Sequence, residues 1–415
     1  MPNIRGRRVY LILLFAAAVG LASCARSLAV SSRTFDAESC AVAGRWLDPA
    51  TGKALAADQL MARLSDKAVV LLGETHTARE HHHWQAQTLA ALHAHKPDMA
   101  VGFEMFPRRV QPALEAWSRG ELTEKQFLEK TEWNQVWRFD PAMYMPLFQV
   151  VRQNRLPAIA LNVERRLVSR VGREGWEAVP AEEREGVSRP APASAVYRRS
   201  LALVFQQKMG HRGAAKTGED TPVPSVDEIL KDDAFDRFVQ AQLTWDRAMA
   251  EAIAGAVKAK PDRLVAGIVG RGHAEYGFGI PHQLADLGID RVAVLLPIET
   301  GEACTQTDAE AADAVFLVDP EKAAAGAPRK PKLGVMIEKS AEGIRIVKVL
   351  EESIAEAAEL QAGDTVVEAA GVPVKDTLDL IAVIQRQAPG TWLPLGILRD
   401  GRKRQHVAKF PAAPE

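Results

Sequence analysis

The sequence predicts an α/β fold: an open, largely parallel sheet flanked by helices, with a helical insertion, followed by a small β-rich domain. Three observations carry this expectation. Five short apolar runs, Ala68 to Leu72, Met99 to Phe103, Pro157 to Leu161, Leu264 to Val269 and Val292 to Leu296, alternate with stretches of helical periodicity, as buried parallel strands joined by crossover helices do. The first four runs each stop at polar or glycine-rich residues. From Lys332 onward the pattern changes to short strand-like runs punctuated by glycine turns. A length of 415 residues suits two or three domains, and 47% hydrophobic with 25% charged residues excludes wholesale disorder and a polytopic membrane protein. The net charge of -1 shows no basic excess of the kind nucleic-acid binders carry.

The N-terminus reads as an export signal. Arg5, Arg7 and Arg8 precede an apolar run from Val9 to Ala22, too short to remain as a spanning helix. Leu21-Ala22-Ser23-Cys24 resembles the bacterial lipobox, which implies a signal peptide over 1–23, lipidation of Cys24 and a tether over 24–45. Its removal leaves a mature net charge of -4. Ala25 and Arg26 lack the Asp that resembles an inner-membrane retention signal, so the expected location is the bacterial cell envelope, lipid-anchored at the outer membrane and facing the periplasm. In that oxidising compartment Cys40 and Cys304 are candidates for a disulfide, and no CxxC is present to suggest a redox enzyme or zinc ribbon.

The first domain is expected over 46–300. Between Pro180 and Asp233 a region rich in Pro, Glu, Gly, Lys and Arg surrounds the apolar patch Leu201 to Phe205, read as a helical insertion with a loop. Residues 301–330, apart from Val315 to Val318, read as a linker. The second domain spans 331–412. Lys332-Leu333-Gly334-Val335 opens a strand, Ile344 to Val349 follows, and Ser353 to Leu360 suggests a short helix. Gly363-Asp364 leads into Val366-Val367, Asp376 to Arg386 is an amphipathic helix, and Leu393 to Leu398 is a strand before an Asp400-Gly401 turn. This order resembles a bacterial PDZ domain, which implies that Leu333, Gly334 and Val335 form the loop receiving a protein C-terminus.

Candidate chemistry collects at strand ends. Open α/β sheets bind ligands beyond the carboxyl ends of their strands. There the sequence places Glu74 and His76 in Gly73-Glu74-Thr75-His76, Glu104, Asn162, and Arg271 with His273 in Gly270-Arg271-Gly272-His273. Six of the ten histidines lie between His76 and His95, and histidine titrates near neutrality. The apolar stripe Ala86, Leu89, Leu92, extended backwards, reaches His82 and Gln85, so His82 points inward while His81 and His83 suit a solvated run. Phe238, Gln242, Trp245, Met249 and Ile253 follow helical spacing, so Gln242 interrupts an apolar face with Asp246 near it. Trp133 and Trp137, one helical turn apart, suit core packing.

These motifs resemble the ChaN family of haem-binding lipoproteins, related more distantly to the erythromycin esterase and TIKI proteins. The matching positions are Gly73-Glu74-Thr75-His76, His81, His82, Gln85, Phe103-Glu104-Met105-Phe106, Gln111, Tyr144 and Asn162. They continue through Gln242-Leu243-Thr244-Trp245-Asp246 to Gly272-His273, Tyr276, Gly277, Gly279, Ile280 and Pro281, so the resemblance covers about residues 60 to 298. It implies haem as cofactor, with a homodimer as candidate assembly. Haem iron accepts Tyr or His; Tyr276 is the first candidate ligand, Tyr144 the second. His273, His76, His82, Glu74, Glu104, Asn162, Gln242 and Arg271 line the expected cofactor site. The distant relatives imply an alternative, a hydrolase using Glu74, His76, Glu104 and His273 as general base and partners, or as ligands of a divalent metal ion. On either reading one shared pocket is expected.

Overall fold

The computed structural model describes residues 40, 42–217, 224–301, 308–320 and 331–412. The signal peptide, Cys24, most of the tether, Cys304 and much of the linker lie outside the described residues. Cys40 is buried and disulfide-bonded; its expected partner is outside them.

The first sheet has eight strands: β1 (Trp46–Leu47), β2 (Ala54–Leu55), β3 (Val69–Glu74), β4 (Met99–Pro107), β5 (Ala158–Asn162), β6 (Leu264–Gly270), β7 (Val292–Glu299) and β8 (Ala314–Val318). Their order is β2-β1-β8-β7-β3-β6-β4-β5. From β8 to β5 every pairing is parallel, while β1 runs antiparallel to β8 and to β2. Alternate residues feed two cores. Val70 and Leu72 of β3 face a layer with Trp84, Leu89, Leu114 and Phe148, whereas Val69 and Leu71 face Met249, Ile253 and Leu284. Burial on both faces is why these strands read as unbroken apolar runs.

One boundary differs from expectation. The strand β8 falls within the expected linker, yet it pairs with β7 along its whole length and with β1. The first domain therefore extends past residue 300. Its five residues are too short a signal to be assigned to a sheet without the partner strands. The insertion is helical as expected. Tyr197, Leu201 and Ala202 of the helix Ala195–Thr217 pack against Phe235, Val239 and Leu243 of the long helix Asp233–Ala259.

The second sheet is antiparallel: β9 (Val335–Lys339), β10 (Ile344–Val349), β11 (Thr365–Ala369), β12 (Val372–Pro373), β13 (Trp392–Arg399) and β14 (Arg402–Lys409). The order is β14-β13-β11-β10-β9, with β12 beside β11. Leu333, Ile346, Val366, Leu380, Leu395 and Phe410 form its own core. Arg399 donates to both oxygens of buried Asp364, at 2.6 and 2.7 Å.

Candidate functional site

β3, β6, β4 and β5 are spatial neighbours, so the four strand ends expected to carry chemistry form one rim. Glu74 is in register with Gly270 across β3 and β6. Glu104 follows the last residue of β4 paired with β6, and its Oε2 accepts from the Gly270 N–H at 2.5 Å. The Glu104 backbone is fixed from the next strand, because Asn162 Nδ2 donates to its carbonyl.

The Gly73 to His76 motif brings Glu74 Oε1 within 2.5 Å of His76 Nδ1. Glu74 Oε2 is buried without a hydrogen-bond partner. Burial pushes the Glu74 carboxyl up to about 7, with neighbouring Glu104 adding to the rise and His76 opposing it. Burial works against charge on His76, but the bond to Glu74 and the field of Glu104 outweigh it, raising its pKa. An edge-on contact to Trp137 and a tilted one to Phe139 confine the His76 ring. Its carbonyl is held from below: Tyr144 OH donates to it, and His82 Nε2 lies 3.2 Å away.

His82 is therefore inward, as expected, but its ring is spent on His76 and Gln85, and burial lowers its pKa to about 4. Gln85 Nε2 in turn donates to the Leu72 carbonyl. His81, expected in a solvated run, is buried and accepts from the Thr75 N–H. Tyr144, the second candidate iron ligand, is fully buried with its hydroxyl committed to His76. Tyr144 and His82, on helices, and Asn162, at the end of β5, thus position the rim by aiming polar side-chain atoms at backbone groups.

His273, beyond β6, is buried between acids. Its Nδ1 is 2.5 Å from Asp246 Oδ1 and its Nε2 is 3.6 Å from Glu104 Oε1. Burial opposes its charge, but Glu104 and Asp246 together push it up to about 9. Gln242 brings its side-chain amide to 3.1 Å from the same Nδ1. Tyr197 OH donates to Asp246 Oδ2. Tyr197 was not among the expected site residues; it comes from the insertion, and only its apolar neighbours mark it in the sequence. Arg271 stays at the surface and pairs with Glu275. Among the described residues, no group of three or more His, Cys, Asp or Glu side chains is arranged to hold a metal ion.

The expected single pocket is two. A cavity of about 230 Å³ beside the acid cluster is lined by Glu104, Asn162, Arg165, Trp137 and Trp245, among others. A more open groove of about 490 Å³ is lined by Tyr276, Pro281, Ala285, Ile289, Val294 and Asp313, among others. They share no lining residue. The separation arises in the loop after β6: His273 turns in to Asp246, whereas Tyr276, at φ 60°, turns out towards β7. Gly279, at φ 54°, packs so close to the His273 carbonyl that a Cβ would lie 2.5 Å from it. Tyr276 is half-exposed and packs its ring on Phe278, which stacks on Tyr197. Burial, with Asp308 and Glu275 nearby, raises its pKa.

Comparison with known proteins agrees with this architecture. A solved structure described as cofacial heme binding to ChaN of Campylobacter jejuni is 19% identical, covers 65% of this chain and 95% of that chain, and superposes with a TM-score of 0.50. The serine endoprotease from Yersinia pestis is 22% identical, covering 20% of this chain and 29% of that one, at a TM-score of 0.18. The HtrA-type protease AlgW with a decapeptide is 20% identical, covering 21% and 30%, at a TM-score of 0.19. No curated protein sequence matches the chain at a significant level. A PDZ family model matches residues 331–409, and the model described as haem-binding uptake, Tiki superfamily, ChaN matches residues 60–284, more than half the chain. The chain therefore belongs to the ChaN family of the Tiki superfamily, and it carries a C-terminal PDZ domain.

Proposed function

We propose that this protein is a haem-handling lipoprotein of the bacterial envelope, anchored through Cys24, which binds haem at the Tyr276 groove and a protein C-terminus at its PDZ domain. One observation carries the haem assignment. Of the three tyrosines among the described residues, Tyr144 and Tyr197 are buried and hydrogen-bonded, while Tyr276 stands half-exposed in an open groove of mixed lining, with Pro281, Ala285, Ile289 and Val294 beside the acids Asp290, Glu310 and Asp313. These residues fit a haem: the phenol is reachable by iron, and Pro281, Ala285, Ile289 and Val294 suit a flat apolar ring. When bound, the group supplies a ferric centre that takes an anionic oxygen ligand. Tyr276 gives that oxygen, and Arg271 opposes the nearby acids that hold its proton on. The groove is shallow, so a second protomer closing over it would exclude water, in keeping with the cofacial arrangement named for the C. jejuni protein.

The test is a haemin titration of residues 25–415 by absorption spectroscopy. A saturable band lost in Tyr276→Phe and kept in Tyr144→Phe supports the assignment; a band unaffected by Tyr276→Phe overturns it. Palmitate labelling lost in Cys24→Ser tests the anchor.

A second reading rests on the unpaired Glu74 Oε2 beside His76. A carboxyl held near 7 at the strand-end rim suits a general base of hydrolysis. Ester and peptide screens should then show turnover that Glu74→Gln abolishes and Tyr276→Phe leaves intact.

A further inference from the structure

The outer face of β9 in the PDZ domain carries apolar surface that the carboxylate loop does not account for. β9 is the terminal strand of its sheet. Along it Val335 and Ile337 are half-buried and pack on the domain core, while Met336 and Glu338 are exposed, so the strand has an inner and an outer face. Met336 is 56% exposed, and its register partner on β10 is Lys348. The register shifts between Ile346 and Lys348, which leaves Val347 as an extra residue, 48% exposed. Leu350, just past β10, is 44% exposed and donates its N–H to the Gly334 carbonyl at 2.9 Å. Pairing therefore runs on through Leu350, and alternation puts its side chain on the outer face with that of Lys348.

We propose that the PDZ domain selects protein C-termini whose penultimate residue is large and apolar, an aromatic above all. This rests on the peptide-binding reading given above and adds what the bound chain must carry. A chain end that meets the loop at Leu333, Gly334 and Val335 and adds antiparallel to β9 sets its last residue opposite Val335, its penultimate residue opposite Met336 and the one before opposite Ile337. Directly opposed residues of an antiparallel pair point to the same face. The last and third-last side chains thus turn inward, and the penultimate one turns outward onto Met336. A thioether makes favourable contact with an aromatic ring, and Val347 and Leu350 extend the apolar surface behind it. The competing attraction is that of the Lys348 ammonium for an acid. Lys348 belongs to the next strand, about 4.8 Å further from the added chain, with Met336 between. Charge on an edge strand guards against pairing. β9 carries its charges, Glu338 and Lys339, at the far end, and the stretch from Leu333 to Ile337 has none, which leaves that stretch open to an added strand.

The experiment is fluorescence anisotropy on residues 25–415 with labelled hexapeptide pools of the form Gly-Ser-Gly-Z-X-Z. Z is an equal mixture of Val, Leu, Ile, Phe and Ala, and X is Trp, Leu, Ser or Asp. Roughly fivefold tighter binding is expected with Trp at X than with Ser, the upper range for a cross-strand aromatic pair; Leu should fall between them and Asp should do no better than Ser. Met336→Ser should bring the ratio of Trp to Ser close to one. Equal affinity for all four pools, or preference for Asp, overturns the inference with the unaltered protein alone. The peptide reading survives that result if amidated pools fail to bind. An advantage for Trp that persists in Met336→Ser overturns the inference as well. If no pool binds, or amidated pools bind as tightly as free ones, the peptide reading itself falls and this inference falls with it.

Discussion

His273 and Asp246 meet ring nitrogen to carboxylate at 2.5 Å, although 27 residues separate them in sequence. The contact joins the loop after β6 to the long helix behind the sheet. With Glu104 on its other side, His273 is held as a buried imidazolium, its pKa pushed up to about 9.

A raised imidazolium stabilises the fold fully below its ordinary pKa of about 6.5 and loses that contribution as pH climbs through about 9. Unfolding free energy should therefore fall by about 3 kcal/mol across that window. Urea titrations between pH 6 and 10 check this, with His273→Gln expected to flatten the slope. An unchanged slope in the variant would sink the assignment.

Glu74 behaves in the opposite chemical sense with the same sign. Its carboxyl is raised from 4.5 to about 7 by burial, so ionising it costs folding energy as pH rises through that range. Glu74→Gln keeps the shape without the charge and should stabilise the protein at pH 8 by about 1–3 kcal/mol. Thermal melts at pH 8 decide it; a lower melting temperature would show that the charged pair with His76 outweighs the burial cost.

Gly270 leaves the space that His76 occupies. A Cβ there would lie 2.9 Å from His76 Cε1, so Gly270→Ala should push the ring off Glu74 and cost about 1–3 kcal/mol. NMR titration of His76 should show its pKa falling once the carboxylate partner is displaced.

Gly334 in the PDZ domain has φ +82°, and a Cβ would come within 2.3 Å of Ser353 Cβ. Gly334→Ala should distort the loop before β9 and weaken C-terminal peptide capture at least ~10-fold, with about 1–3 kcal/mol lost from the domain. Fluorescence anisotropy with a labelled peptide library measures it. Unchanged peptide affinity would move the carboxylate site away from this loop.

Much of the rim was legible because strand ends announce themselves. Glu74, Glu104, Asn162 and His273 each follow an apolar run, and the inward aim of His82 follows from the stripe it extends. His81 was misread because helical periodicity describes one face, and its burial depends on the Thr75 backbone bending over it. Tyr197 was invisible because its partner Asp246 is 49 residues away. The apolar run of β8 was set apart from the linker but not assigned to the sheet, and β14 was missed outright, its polar and charged residues lacking an apolar alternation.

By itself the sequence determined the two-domain plan, the parallel core strands and the residue types at their ends. Local burial and periodicity are written in neighbouring residues, so they survive without coordinates. The tertiary structure alone decided which ends are adjacent, which histidines carry charge, and that Tyr276 faces a groove apart from the acid cluster. Those properties depend on β6 entering between β3 and β4, and on one left-handed turn at Tyr276. Both are set by packing between segments far apart in the chain.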